Sequence, residues 1–309
     1  MALHRLNSIT VGVPDLAPTV EYYRDFGLLP ETGGWLSTRD GGRQLRLVAT
    51  PTRRLVELEI GVDDPDDIGR MARRLLALDL DLDVDAGEDR LSVLEPISGV
   101  RVAARVTGRL VQPRVPAPPY NTPGDPARGS TRAPGILRET PVRPRKLGHV
   151  VIGSVDQPAT ERFFTDGVGL KVSDVVPGTA AFMRCSSDHH NVLVTRAPVN
   201  FLHHTSWQVD DIDEIGRGAT AMLREHPERH VWGLGRHHIG SNFFWYLKDP
   251  AGNFAEYYSD LDCIIDDALW KPEVWDAAHS LYSWGPPPPP SFIDPDDLAA
   301  LMAGAHQTP

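Results

Sequence analysis

Short runs of β-branched and aromatic residues, alternating with polar ones and broken by Gly, Pro and Asp, predict strands along most of the chain, and two longer amphipathic stretches in each half predict helices. In the second half Leu147 to Val155 reads as a strand ending at Asp156, an N-cap for a helix over Gln157 to Asp166. Strands are expected near Lys171 to Val175, Ala180 to Arg184 and Asn191 to Thr195, separated by Pro177-Gly178 and by the polar run Ser186 to His189. A strand from His204 to Val209, a helix near Ile212 to Glu225, and strands near Phe243 to Leu247 and Phe254 to Tyr258 complete the half. Asp249-Pro250-Ala251-Gly252 supplies turn chemistry between the last two.

The same pattern occurs twice. LNSITVGVPD from Leu6 parallels LGHVVIGSVD from Leu147, and each leads to paired aromatics, in EYYRDFGL and ERFFTDGVGL. Glu57 to Leu78 parallels His204 to Leu223 through a shared Val-Asp-Asp and Ile-Gly; EPISGVRVAA from Glu95 matches DPAGNFAEYY from Asp249 more weakly. The expected fold is therefore α+β, two tandem modules each made of a pair of βαβββ units. The boundaries read as a first module at 1–108, a linker at 109–145, a second module at 146–283 and a tail at 284–309. Pro113 to Pro144 is rich in Pro, Arg and Gly and has neither hydrophobic period, as an extended linker should. The tail opens with the proline run of Trp284 to Pro290, and Asp294-Pro295 can start a short helix through Leu298, Leu301 and Met302, packed on the domain or on a neighbouring subunit.

With 309 residues, 41% hydrophobic and 24% charged, each module can bury a core. A formal net charge of -11 argues against the basic face that nucleic-acid binding requires. Cys185 and Cys263 are too few for a disulfide framework, and their spacing does not suit a zinc site. No apolar run approaches a membrane span and the N-terminus has no h-region, so a cytoplasmic enzyme with a small organic substrate is expected.

Aligning the modules isolates what differs. Where the second has His149, His204 and Glu256, the first has Ser8, Glu57 and Ala103. A duplicated fold needs its packing residues in both copies and its chemistry in one. Any one histidine could be an ordinary hydrogen-bonded residue, but two imidazoles and a carboxylate with open positions suit a non-heme Fe(II) that handles dioxygen. His204 would share a strand face with Ser206 and Gln208, with Trp207 and Val209 on the other.

The segment GRHHIGSNFFWYLKDPAGNFAE, Gly235 to Glu256, carries a family resemblance. Gly235, His237, Tyr246, Asp249, Pro250, Gly252 and Glu256 fit the signature of the type I extradiol ring-cleaving dioxygenases of the vicinal oxygen chelate superfamily, the group that includes the 2,3-dihydroxybiphenyl 1,2-dioxygenases. The resemblance implies modules whose sheets partly close around a cavity. It implies His149, His204 and Glu256 as ligands of Fe(II), or Mn(II) in its place, with a catechol-type substrate and O2 as partners in a homo-oligomer. His190 matches the family's acid/base histidine, and His237 and Tyr246 match groups beside the substrate oxygens. One of His189 and His190 is expected to face solvent. His203, His230 and His238 are expected to point elsewhere by strand alternation or to lie in loops.

The chain departs from the pattern at Trp245, where a smaller apolar residue or Phe is usual, and at Gly240, where biphenyl-type members carry Asp; its linker is also longer than usual. Phe182, Trp207, Phe243 and Trp245 are candidates for pocket walls or core. The other readings are a Lewis-acid isomerase or transferase on the same fold and a metal-free aromatic-binding protein.

Overall fold

The structure, a computed structural model, describes residues 3–78, 84–87, 89–277 and 280–305. Residues 306–309 of the expected tail lie outside the described residues. The first half runs β1 (Leu3–Val13), α1 (Leu16–Asp25), β2 (Leu29–Pro30), β3 (Trp35–Thr38) and β4 (Gly42–Ala49). It repeats as β5 (Arg54–Val62), α2 (Pro65–Leu76), β6 (Val84–Ala86), β7 (Arg90–Leu94) and β8 (Arg101–Val106). These are two βαβββ units joined edge to edge: β1 pairs antiparallel with β5, and each pairs in parallel with the last strand of its own unit, giving the order β2-β3-β4-β1-β5-β8-β7-β6.

The connection carries only a two-residue ladder, β9 (Asn121–Thr122) with β10 (Asp125–Pro126), and one helical turn, α3 (Pro134–Leu137). The second half restates the first. It runs β11 (Lys146–Ser154), α4 (Gln157–Arg162), β12 (Lys171–Val176), β13 (Ala180–Arg184) and β14 (Val192–Arg196), then β15 (Phe201–Gln208), α5 (Ile212–Leu223), β16 (His230–Arg236), β17 (Phe243–Lys248) and β18 (Phe254–Ser259). A short β19 (Glu273–Val274) extends its sheet, so the order is β16-β17-β18-β15-β11-β14-β13-β12-β19. The tail forms α6 (Pro290–Ile293) and α7 (Leu298–Ala305). Each sheet is open, with two edge strands, and the α+β class with paired βαβββ units is the architecture observed.

The shared Val-Asp-Asp has a local cause. Asp64 and Asp211 both N-cap the helix that follows, accepting from the backbone N–H of Asp67 and Glu214 at 3.0 Å. Aromatics in and just after α1 dock one half on the other: Tyr23 packs edge-on to Trp207, Phe26 stacks on Tyr257 at 3.9 Å, and the Tyr257 hydroxyl donates to the Phe26 carbonyl. Two expectations are corrected. The helix expected to run to Asp166 leaves α geometry after Arg162 and widens to i→i+5 bonding over Phe163–Val168, which Gly169 ends at φ 98°. Strand β16 was not foreseen, because HVWGLGR carries two glycines and weak alternation.

Candidate metal centre and cavity

Three neighbouring strands bring the ligand set together. In the ladder, His149 on β11 lies opposite Ser206 on β15, which lies opposite Glu256 on β18. In the first half Ser8, Glu59 and Ala103 occupy the equivalent rungs, and among the described residues that half offers no such set. His149 Nε2 stands 3.1 Å from Glu256 Oε2 and 3.4 Å from His204 Nε2, and His204 Nε2 stands 3.7 Å from the same oxygen. Ligands about 2.1 Å from one ion at right angles would be roughly 3 Å apart, so these atoms can share a cation with little movement.

The residues fit a divalent metal on a second count. Glu256 is fully buried, its Oε1 accepts from Asn242 Nδ2 at 3.1 Å, and among the described residues its Oε2 has no hydrogen-bond partner. A buried carboxylate oxygen facing two imidazole nitrogens is stabilised by a cation and costs free energy without one.

Neighbouring groups set the protons. The Phe292 carbonyl accepts from His203 Nε2 at 2.7 Å, so neutral His203 presents a bare Nδ1; His204 donates its Nδ1–H there at 2.8 Å, leaving Nε2 unprotonated toward Glu256. Burial, followed by the neighbouring histidines, holds His204 well below the ordinary imidazole pKa, and burial takes His203 down to about 4. His237 donates Nδ1–H to the Leu281 carbonyl at 2.6 Å and accepts the Tyr246 hydroxyl proton at Nε2, 2.8 Å away. Burial and then the Glu256 charge raise Tyr246 well above the usual phenol value, so its hydroxyl keeps its proton. His190 packs against His149 with ring centroids 4.2 Å apart, and burial, then His149, holds it well below the ordinary imidazole value.

These six side chains, His149, His190, His204, His237, Tyr246 and Glu256, lie together in one cluster. All but Glu256 line a cavity of about 390 Å³ whose other walls include Val176, Phe182, Leu193 and Ile239, with Phe292 across the top. Gly240 adopts φ 83°, a conformation that L side chains rarely take, and a Cβ there would lie 3.0 Å from Leu261 Cδ1.

Several expectations are corrected here. His203 does not point away: a bulge in β15 opposite Val151 and Ile152 inserts an extra residue, so His203 lines the cavity beside His204. Neither His189 nor His190 faces solvent; they are 0% and 3% exposed and bonded Nδ1 to Nδ1 at 3.0 Å. Of the four aromatics considered as walls, only Phe182 lines the cavity. Trp207 is core, Phe243 lies against Arg236, and the Trp245 indole N–H reaches His230 on the face opposite Tyr246. His238 packs against Trp275. Sequence reading did not single out Asn242, Asp174 or Phe292; the repeated His-His pairs were the visible signal for His189 and His203.

The chain is similar to known proteins in sequence and in fold. The profile of the Glyoxalase/Bleomycin resistance protein/Dioxygenase superfamily matches residues 146–257. Metapyrocatechase 2 of Cupriavidus necator is 30% identical over 307 residues, 94% of this chain and 92% of that protein. A manganese-dependent 2,3-dihydroxybiphenyl 1,2-dioxygenase from Geobacillus genomosp. 3 is 30% identical over 144 residues, covering 43% of this chain and 45% of its own. In fold, the structure superposes on homoprotocatechuate 2,3-dioxygenase of Brevibacterium fuscum with TM-score 0.72 at 20% identity, over 94% of this chain and 91% of that one.

Proposed function

The chain belongs to the extradiol dioxygenases of the glyoxalase/bleomycin resistance protein/dioxygenase superfamily, and from that membership we propose that it cleaves the ring of a catechol-type aromatic with dioxygen, beside the hydroxyl pair. His149, His204 and Glu256 hold a divalent metal, Fe(II) or Mn(II). The observation that carries this reading is the buried Glu256 Oε2, unpartnered among the described residues, between the imidazole nitrogens of two histidines that line a largely apolar cavity.

The metal, when bound, would acidify a catechol hydroxyl and relay electrons between the ring and dioxygen. The protein's own groups do the rest. His190 takes the remaining phenolic proton, a task for a neutral imidazole in a dry site. Tyr246, protonated and tied to His237, places a hydrogen-bond donor and a proton carrier beside the reacting oxygens. Phe182, Ile239 and Phe292 bind the ring and exclude water. The cavity volume is at the lower end of the range for small-molecule sites, about 300–1,000 Å³, which suits one- or two-ring catechols. A homo-oligomer in the cytoplasm is the proposed setting. The tail does not argue for it, since Phe292 packs into the chain's own cavity.

The test is anaerobic loading with Fe(II), or Mn(II), then exposure to air with a panel of mono- and bicyclic catechols. Oxygen uptake with a yellow ring-opened product is expected. Absence of both with either metal overturns the reading, and turnover under nitrogen would favour a Lewis-acid isomerase or transferase.

A further inference from the structure

Behind His190 lies a closed chain of polar contacts that includes neither the metal ligands nor the ring-binding walls. Asp174 on β12 is 4% exposed, and its carboxylate accepts from three donors. The Glu273 backbone N–H reaches Oδ1 at 2.7 Å; the Trp275 indole N–H and His189 Nε2 both reach Oδ2 at 3.2 Å. Pairing of β19 with β12 sets Glu273 opposite Asp174 and so fixes the carboxylate. His189 is fully buried, with Trp270 edge-on against its ring at 5.3 Å and its backbone N–H held by the Asp262 carbonyl.

A carboxylate only accepts, so His189 carries its proton on Nε2. Neutral His189 then offers a lone pair at Nδ1, 3.0 Å from His190 Nδ1. His190 must donate there, which leaves its Nε2 bare in the wall of the cavity. In model imidazoles the proton prefers Nε2, so this tautomer needs an acceptor to hold it, and Phe182, edge-on at 5.2 Å, packs the ring in place.

We propose that Asp174 and His189 are positioning residues that hold His190 in its Nδ1–H tautomer, with bare Nε2 aimed at a hydroxyl proton of the substrate. The assignment of that proton rests on the catechol-cleaving reading; the hydrogen-bond chain does not.

The experiment is 15N NMR of the imidazoles in full-length protein loaded with Zn(II) as a diamagnetic probe, with His190 assigned by the loss of its signals in His190→Asn. The wild type is expected to show His190 protonated at Nδ1 and bare at Nε2. Asp174→Asn, which puts an amide donor against one of the three donors, and His189→Leu, which removes the acceptor, are expected to move that proton to Nε2. His189→Gln offers a donor to Asp174 and an acceptor to His190, and should keep it. In air with Fe(II), the first two variants should lose about 10- to 100-fold in kcat, with KM changed less than about 3-fold, and His189→Gln should retain most activity.

A wild-type His190 protonated at Nε2, including the case of a doubly protonated His189, overturns the proposal without any variant. So does a His190 spectrum that both Asp174→Asn and His189→Leu leave unchanged. If the tautomer responds as expected while no catechol is cleaved by the wild type, the positioning chain stands and the reaction assignment fails.

Discussion

Phe292 holds His203 by both its backbone and its side chain: its carbonyl accepts the His203 Nε2 proton at 2.7 Å, while the two rings pack edge to face at 4.8 Å. A residue of the tail therefore roofs the cavity and, through His203, decides which nitrogen of His204 is free. Deleting residues 285–309 removes both effects and should weaken divalent-metal affinity about 10- to 100-fold, read by calorimetric titration with Zn(II) or Mn(II). His203→Leu isolates the hydrogen bond and should account for roughly tenfold of that loss. Equal affinity in the wild type and both variants would separate the tail from the metal centre.

Glu256→Gln makes two predictions of opposite sign. The amide keeps the shape of the side chain but removes the charge, so metal retention through gel filtration should fall below detection. The metal-free variant should in turn be more stable than the metal-free wild type, by about 1–3 kcal/mol in urea unfolding, because an uncompensated buried carboxylate is gone. With metal present the order should reverse, since binding to the folded state stabilises only the wild type.

The fold was legible in the sequence because the βαβββ unit occurs four times, two to each half, and a pattern that recurs reports packing more reliably than one that occurs once. Val62-Asp63-Asp64 and Val209-Asp210-Asp211 matched because both second aspartates cap helices. The gathering of His149, His204 and Glu256 was legible for the converse reason, as a difference between copies at the same rungs. What escaped depended on local departures from period. His203 was assigned to the wrong face because strand alternation fails at a bulge. Asp174 lies 15 residues from His189, and the two meet only because β12 and the loop before β14 lie side by side. Phe292 lies 89 residues from the histidine it holds, in a segment without hydrophobic period.

Arg53 ties the first module to the second. At 4% exposure it donates to the Leu202 carbonyl at 2.7 Å and to Asn253 Oδ1 at 3.3 Å, and forms a two-pronged pair with Asp297 in the tail. Leu202 precedes the His203-His204 pair and Asn253 belongs to the turn before Glu256. Arg53→Met keeps the aliphatic stem and loses every polar contact. It should cost about 2–3 kcal/mol in urea unfolding, less than a fully buried pair would because Asp297 can turn to solvent. Metal affinity should drop with it, since the backbone on both sides of the cluster loses an anchor; a stability loss with unchanged affinity would show that the first module only docks.

Arg138 of the linker clamps the start of α5, with Nη2 on Asp211 Oδ2 and Nη1 on Asp211 Oδ1 at 2.9 Å. Burial alone would raise the Asp211 carboxyl, but the guanidinium and the Glu214 backbone N–H outweigh it and hold the group below the ordinary 3.8. A depressed carboxyl pKa contributes stability that is fully present above the unfolded value, near pH 4, and is lost as pH falls through the lower folded value. Arg138→Ala should therefore destabilise the protein by about 1–2 kcal/mol at pH 7, and the gap to wild type should narrow as pH drops below about 4. Urea unfolding of both proteins at pH 7 and pH 3 checks it. A gap of the same size at both pH values would mean that Arg138 acts through packing of its stem on α5 and not through the Asp211 charge.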